Sequence, residues 1–390
     1  AAGFERSFNL VDGAGNHWDA TGFENRPSTY RADGEPVEYP DGQYSTSVYT
    51  DQLIRFIDSH RDDDRPFFAF AAYTSPHWPL QVPEAELERY RGVYDEGYEA
   101  LRKKNFEALK SRGVIPAHSV LPPRNEEITP WDQLSPAERK TEARKMELYA
   151  AMVENLDQHI GRLLAFLKSS GVYENTLVVF MSDNGAAAND FYHSGPYRDY
   201  IQAHYDNQYD NMGHSDSWVS YGPQWAEAGS APFRWFKGHT YEGGIRAPMI
   251  IAGAGVKPQS AFNSDYLTLM DLAPTFLEIA GARYPDDGSV APMLGSSLTN
   301  VLAGQSGPVH GDEYVTTLSH RGRSFIRQGK WKLVADPRPF DESNFELFDM
   351  ESDPGELSDV SGDHPKKRAE LIALWQVQRK ALGIILPSDL

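Results

Sequence analysis

The chain has 390 residues and a formal net charge of −19 at neutral pH, with a pI near 5.0. That length accommodates one large α/β domain plus a smaller one, each with a full core. Charged residues at 24% and aromatics at 12% exclude a disordered chain, and the acidic balance argues against a nucleic-acid or anionic-membrane partner, because both require basic faces.

The opening "AAGFERSFNL" has neither a methionine nor a signal-like apolar run and reads as a truncation or processing point. Residues 1–45 are rich in Gly, Asp, Asn and Tyr with weak periodicity. "STSVYTDQLIRFIDSH" then places Tyr49, Leu53, Phe56 and Ile57 on one helical face, with Ser45 or Thr46 as N-cap. Phe67 to Tyr73 is continuously apolar and predicts a strand buried on both faces, ending in a proline-flanked loop that carries His77. Residues 84–140 mix charged helical segments with proline-rich breaks, as expected of a surface excursion.

"ARKMELYAAMVENLDQHIGRLLAFLKSSG" keeps a 3.6-residue apolar period from Tyr149 to Leu167, and Gly171 sits where a helix C-cap belongs. A strand over Thr176–Met181 follows, then a strand in "PMIIAG", then a helix in "DLAPTFLEIAG" with Pro274 near its first turn. Helix and strand alternate in this way to about Gly304, which predicts an α/β fold with a mainly parallel central sheet flanked by helices. Beyond it, "SFIRQGKWKLVA" and "FELFDM" read as two antiparallel strands and "HPKKRAELIALWQVQRKAL" as a closing helix. The expected organisation is therefore 1–304 as the α/β domain and 305–390 as a small C-terminal α+β subdomain. No apolar run approaches the 18 or so residues of a membrane-spanning helix.

Ligands of open α/β sheets bind beyond the carboxyl ends of the strands, and two strands here end in polar loops. Asp183 and Asn184 follow the first and offer hard oxygen donors, suited to calcium or magnesium rather than zinc. An isolated Asp-Asn-Gly reads equally well as an Asx turn. His77, stiffened by Pro76 and Pro79, has the chemistry to protonate a leaving group, and read alone it is an ordinary hydrogen-bonded histidine. Lys237, just ahead of Gly243 and Gly244, suits a point charge on an oxyanion or else a solvated surface position. Glu242 and Arg246 read as a structural ion pair bracketing those glycines. The segment from Asn189 to Gly229 is dense in Tyr, His, Asp and Trp and reads as a long loop over the pocket. Its His193, His204 and His214 lack regular metal spacing. No cysteine is present, so these residues hold no disulfide framework and no thiol nucleophile. That is compatible with bacterial cytoplasm and equally with periplasm.

Taken together and in this order, "SPHWPLQVP", "VVFMSDNG", "FKGHTYEGGIRAP", "IRQGKWKLV" and "ELFDMESDPGEL" resemble the sulfatase family of the alkaline-phosphatase-like superfamily. "YRGVYDEGYEALR" and "MELYAAMVENLDQHIGRLL" look more narrowly like bacterial arylsulfatases. The resemblance implies that Asp183 and Asn184 bind calcium, with magnesium as the alternative ion. It implies that Lys237 and His77 bind the sulfate of a small-molecule ester, His77 also protonating the departing alcohol. It further implies a formylglycine nucleophile, made from the first residue of a Cys/Ser-x-Pro-x-Arg motif upstream of the His77 loop, together with two more metal-binding aspartates. None of these appears where expected, so the N-terminal segment is expected to be absent and the nucleophile to lie outside these residues. "SAPFR" (Ser230–Arg234) matches the motif but stands seven residues before Lys237, where relatives carry a similar stretch without catalytic duty. Two rival readings are a phosphate or phosphonate ester hydrolase of the same superfamily and a non-catalytic fragment that keeps the fold. Oligomeric state is not legible.

Overall fold

A computed structural model describes residues 3–61, 65–191, 197–257 and 262–386. The chain divides into two compact units: Ala1–Lys103, Arg124–Tyr173 and Ala187–Gly229 form the first, and Lys104–Pro123, Glu174–Ala186 and Ser230–Leu390 the second.

The first unit opens with an antiparallel meander, β1 (Phe8–Leu10), β2 (Tyr30–Ala32) and β3 (Glu35–Val37), in which Leu10 faces Tyr30 and Tyr30 faces Val37. Asp33 and Gly34 turn between β2 and β3 with φ of 52° and 92°, the left-handed pair that tight hairpins require. Helix α1 (Ser45–Asp58) starts one residue earlier than expected, with Tyr44 as N-cap and no side-chain oxygen on its first amides. Short α2 (Glu84–Leu87) and α3 (Tyr98–Ser111) lead to α4 (Pro136–Ser169), which lies against α1 and α2. A capping box starts α4: Ser135 Oγ accepts from Glu138 N–H, and the Glu138 carboxylate accepts from Ser135 N–H. A Schellman turn ends it, with Gly171 at φ 76°, Gly171 N–H on Lys168 O and Val172 N–H on Leu167 O. The Asn189–Gly229 segment is more than a loop. It carries α5 (Arg198–His204) and most of α6 (Gly222–Ser230), and its Phe191, Ile201, Tyr205 and Trp218 form an aromatic cluster with Phe23 and Trp78. His193 lies outside the described residues.

One expectation in this unit fails. Phe67 to Tyr73 is extended but pairs with no strand among the described residues, and Phe67, Phe68 and Phe70 are 41%, 62% and 63% exposed. An apolar run reports affinity for a sheet, not the presence of neighbouring strands.

The second unit holds the two strands that carry the polar loops. β4 (Leu177–Met181) and β5 (Met249–Gly253) pair antiparallel, Phe180 facing Ile250, whereas the alternation of elements predicted parallel neighbours. Runs such as "LVVFM" and "MIIAG" are symmetric in composition and carry no directional signal. Helix α7 (Glu242–Ile245) leads into β5, and α8 (Leu272–Ile279) and α9 (Thr299–Leu302) follow it. The C-terminal antiparallel sheet has four strands rather than two: β6 (Val315–His320), β7 (Arg323–Gln328), β8 (Trp331–Ala335) and β9 (Glu346–Asp349). Helix α10 (Pro365–Ala381) closes it, burying Leu371 and Trp375 against Ile326, Leu333 and Leu347. No described helix is long and apolar enough to cross a membrane.

Candidate functional site

β4 delivers Ser182–Gly185 at its carboxyl end, and two backbone contacts fix where that loop lies. Gly185 N–H donates to Gly244 O at 3.1 Å, and Lys237 N–H donates to Ala186 O at 3.0 Å. Gly185 has to be glycine, because a Cβ there would collide with the Gly243 carbonyl oxygen. The Asp183–Asn184 loop and Lys237 are therefore pinned to one another through main chain. Ser182 Oγ donates to Asn184 O at 3.1 Å, which turns the chain between the strand and Gly185. The side-chain oxygens of Asp183 and Asn184 have no partner among the described residues, and Asp183 is exposed. The Lys237 ammonium, also exposed, makes no ion pair among them. Two uncommitted hard oxygens suit calcium or magnesium and supply part of the six to eight donors that calcium takes. No group of three or more His, Cys, Asp or Glu side chains able to hold a metal is found among the described residues.

The loop that carries Lys237 is held from below by the C-terminal sheet. Glu242 opens α7, and its Oε1 lies 2.7 Å from Lys332 Nζ, which is itself 2.7 Å from Glu356 Oε1. Lys332 is wholly buried in β8, and Glu242 N–H donates to Glu356 Oε2 at 2.6 Å. Burial drives the Glu356 carboxyl up to about 7, against the pull of Lys332. Burial acts on Glu242 in the same direction and is the largest single influence there, but Lys332 together with Arg246 and Arg327 holds that carboxyl below the usual range. The expected Glu242–Arg246 pair is a loose one at 3.9 Å, and Lys332 is the partner that matters. Further along, Asp336 accepts from His239 Nδ1 at 2.8 Å, from Thr240 N–H at 3.2 Å and from Arg323 Nε at 3.1 Å.

In the first unit His77 sits between the cis peptides Ser75–Pro76 and Trp78–Pro79. Its N–H donates to Thr74 O at 2.9 Å and its Nδ1 lies 2.9 Å from Trp78 O, a contact that assigns the proton to Nδ1. Trp78 is locked edge-on against Phe191 at 5.0 Å and donates Nε1–H to Asn189 Oδ1 at 3.0 Å. The carbonyl of His77 lies 3.4 Å from Nε2 of the buried His17, whose pKa burial lowers to about 4, so His17 stays neutral. His204 and His214 are exposed and separate, with His204 Nδ1 on Tyr200 O.

Asp183, Asn184 and Lys237 thus lie in one unit, and His77 is placed in the other. Reasoning from sequence missed Lys332, Glu356 and Asp336. The one available signal was a lysine inside the otherwise apolar strand "WKLVA".

A family model described as "Sulfatase" matches residues 2–282, and a second, "N-sulphoglucosamine sulphohydrolase, C-terminal", matches residues 231–378. An uncharacterized sulfatase of Schizosaccharomyces pombe is 35% identical over 99% of this chain and 72% of its own length. An arylsulfatase of Klebsiella aerogenes is 36% identical over 77% of this chain and 66% of its own. The chain therefore spans about two-thirds of the length of these relatives. Among solved structures, one bound to its substrate D-glucosamine-2-N,6-O-disulfate aligns with a TM-score of 0.62 at 20% identity, covering 97% of this chain and 76% of that one. A phosphonate monoester hydrolase from Silicibacter pomeroyi aligns at 0.51 and 20% identity, covering 96% and 66%.

Proposed function

The chain belongs to the sulfatase family, and from that premise we propose that it serves the hydrolysis of sulfate monoesters, aryl sulfates foremost. The observation that carries the proposal is local to the second unit: two side chains with oxygen donors and an ammonium, all without partners among the described residues, are pinned to each other by Gly185–Gly244 and Lys237–Ala186 hydrogen bonds. Asp183 and Asn184 would hold the divalent cation, calcium in the first instance. When bound, that ion supplies charge to polarise the sulfate. Lys237 offers a compact cation to a sulfate oxygen, where charge builds as the S–O bond breaks. The family resemblance assigns His77 to the departing alcohol; with Nδ1–H committed to Trp78 O, it serves as the acid only when Nε2 carries a second proton. Formylglycine, the nucleophile of the family, is assigned to a segment outside these 390 residues.

The test is binding by the chain itself. Calcium should raise the melting temperature, as any ligand of the folded state does, and Asp183→Ala should abolish that rise. Lys237→Ala should weaken calorimetric binding of 4-nitrophenyl sulfate about tenfold or more while leaving the calcium effect in place. If neither substitution changes either measurement, the site is wrongly placed. The rival favoured by the fold of the phosphonate monoester hydrolase predicts tighter binding of a phenylphosphonate monoester than of the sulfate ester.

A further inference from the structure

The proposed function leaves His239 unused, two residues beyond Lys237. Its ring is held on three sides. Nδ1 lies 2.8 Å from Asp336 Oδ2, the two side chains being 12% and 10% exposed. One face stacks on Trp235 at 4.4 Å with an interplanar angle of 8°, and Phe236 meets the ring edge-on at 5.3 Å. Asp336 is itself fixed by Arg323 Nε and the Thr240 amide, and Arg323 also donates to Gly238 O at 3.0 Å. Two of the residues that shape this turn adopt left-handed backbone, Trp235 at φ 63° and Gly238 at φ 94°. A tryptophan at positive φ is uncommon, and such conformations persist where the surroundings over-determine them, which they do at ligand-contacting segments above all. The remaining edge of the imidazole is open: Nε2 has no partner among the described residues, and it is not one of the buried atoms left without one.

A carboxylate on one ring nitrogen of histidine sets the tautomer and gives the other nitrogen a defined task. With the Nδ1 proton donated to Asp336, the tautomer that this contact selects presents its lone pair at Nε2. We infer that His239 is a specificity-determining residue of the site that Lys237 marks, accepting a hydrogen bond at Nε2 from a hydroxyl group on the organic part of the sulfate ester. Asp336 acts through His239 and is a positioning residue. The inference rests on the reading of Lys237 as the sulfate contact, and it narrows the substrate class to esters with a hydroxyl close to the sulfated oxygen. A site built to pair such a hydroxyl disfavours the analogue that lacks it, because its own polar atom then loses its partner.

The test compares calorimetric binding of 4-nitrocatechol sulfate, which carries a hydroxyl beside the ester, with that of 4-nitrophenyl sulfate, which lacks one. The wild-type chain should prefer the catechol ester by about tenfold, the worth of one satisfied hydrogen bond. His239→Asn retains an N–H for Asp336 and removes the Nε2 position. It should bring the ratio close to one with little change in melting temperature. Should that variant fail to fold, Asp336→Asn serves instead. Its amide N–H faces Nδ1 and moves the ring proton to Nε2, so the preference should again disappear. A wild-type ratio near one, or a preference that survives in these variants, overturns the inference. If in addition Lys237→Ala leaves the affinity for both esters unchanged, the sulfate-binding reading fails as well. If Lys237→Ala weakens both esters while His239→Asn keeps the ratio, only the role of His239 is lost.

Discussion

Glu242, Lys332 and Glu356 bury two carboxylates with one ammonium, so only one of the carboxylates is readily ionised in that space. Burial lifts Glu356 from the ordinary 4.5 to about 7. Between those values the folded chain keeps a proton on Glu356 that the unfolded chain has released. Rising pH therefore favours unfolding, with a loss that begins near 4.5 and is complete once pH passes 7. Glu242 works in the opposite sense, its stabilisation being lost as pH falls, but it is common to wild type and to a Glu356 variant. Glu356→Gln keeps the shape and an acceptor for the Glu242 amide and cannot ionise. Its stability relative to wild type should rise from pH 5 to pH 8 by on the order of 2 kcal/mol, read as the difference between the two melting curves. A difference that stays constant across that range would mean that Glu356 is already ionised at pH 5. This residue-level wiring explains what the sequence could and could not disclose. Asp183 and Asn184 drew notice in the sequence because they end an apolar strand, and Lys237 because it precedes a glycine pair. Lys332 and Asp336 did not, because they meet Glu242 and His239 across separations of 90 and 97 residues.

At the scale of elements, legibility followed the strength of local signals. Helix α4 was plain from its period and from Gly171, but its first turns, capped by Ser135 and Glu138, were read as part of a surface excursion. The β6–β7 and β7–β8 hairpins were missed although both turns carry glycine: Arg321 and Gly322 lie at φ 51° and 79°, and Gly329 at 54°. Reading through "RQGKW" as one strand merged β7 with β8. Strand direction was legible in the C-terminal sheet, which is antiparallel as expected, but not for β4 and β5, where it depends on which segments become neighbours. The most consequential element contact is the one between the end of β4 and the glycine pair that opens α7, and it gives a sharp prediction. Gly185→Ala places a methyl group against the Gly243 carbonyl, and backbone cannot rotate away as a side chain would. The variant should lose about 1–3 kcal/mol of stability, as overpacked sites do, and should also lose most of the calcium-dependent rise in melting temperature. Retention of the full calcium effect would show that Asp183 and Asn184 do not need the Gly244 anchor.

For the molecule as a whole the question is where the nucleophile resides. The chain has no cysteine, and Ser-x-Pro-x-Arg occurs twice: as Ser194–Arg198, whose first three residues lie outside the described residues, and as Ser230–Arg234. In the second string Arg234 is committed to structure. Its Nη1 donates to Glu356 O at 3.2 Å and lies 3.7 Å from Glu346, and its guanidinium covers the Tyr241 ring at 4.4 Å. Phe233 N–H closes back on Ser230 O at 2.9 Å, which makes the string a turn that seats the Lys237 loop on the C-terminal sheet. Binding and turnover should therefore separate in this protein. The 390 residues should bind 4-nitrophenyl sulfate through Lys237, yet release 4-nitrophenol no faster than Lys237→Ala does, and Ser230→Ala should leave ester affinity unchanged. Robust release of 4-nitrophenol that vanishes in Ser230→Ala would assign the nucleophile to Ser230. Release that survives Ser230→Ala would require another nucleophile among these residues. In either case the sulfate-binding half and the bond-breaking half of the reaction would have to be placed in one stretch of chain, which the commitments of Arg234 argue against.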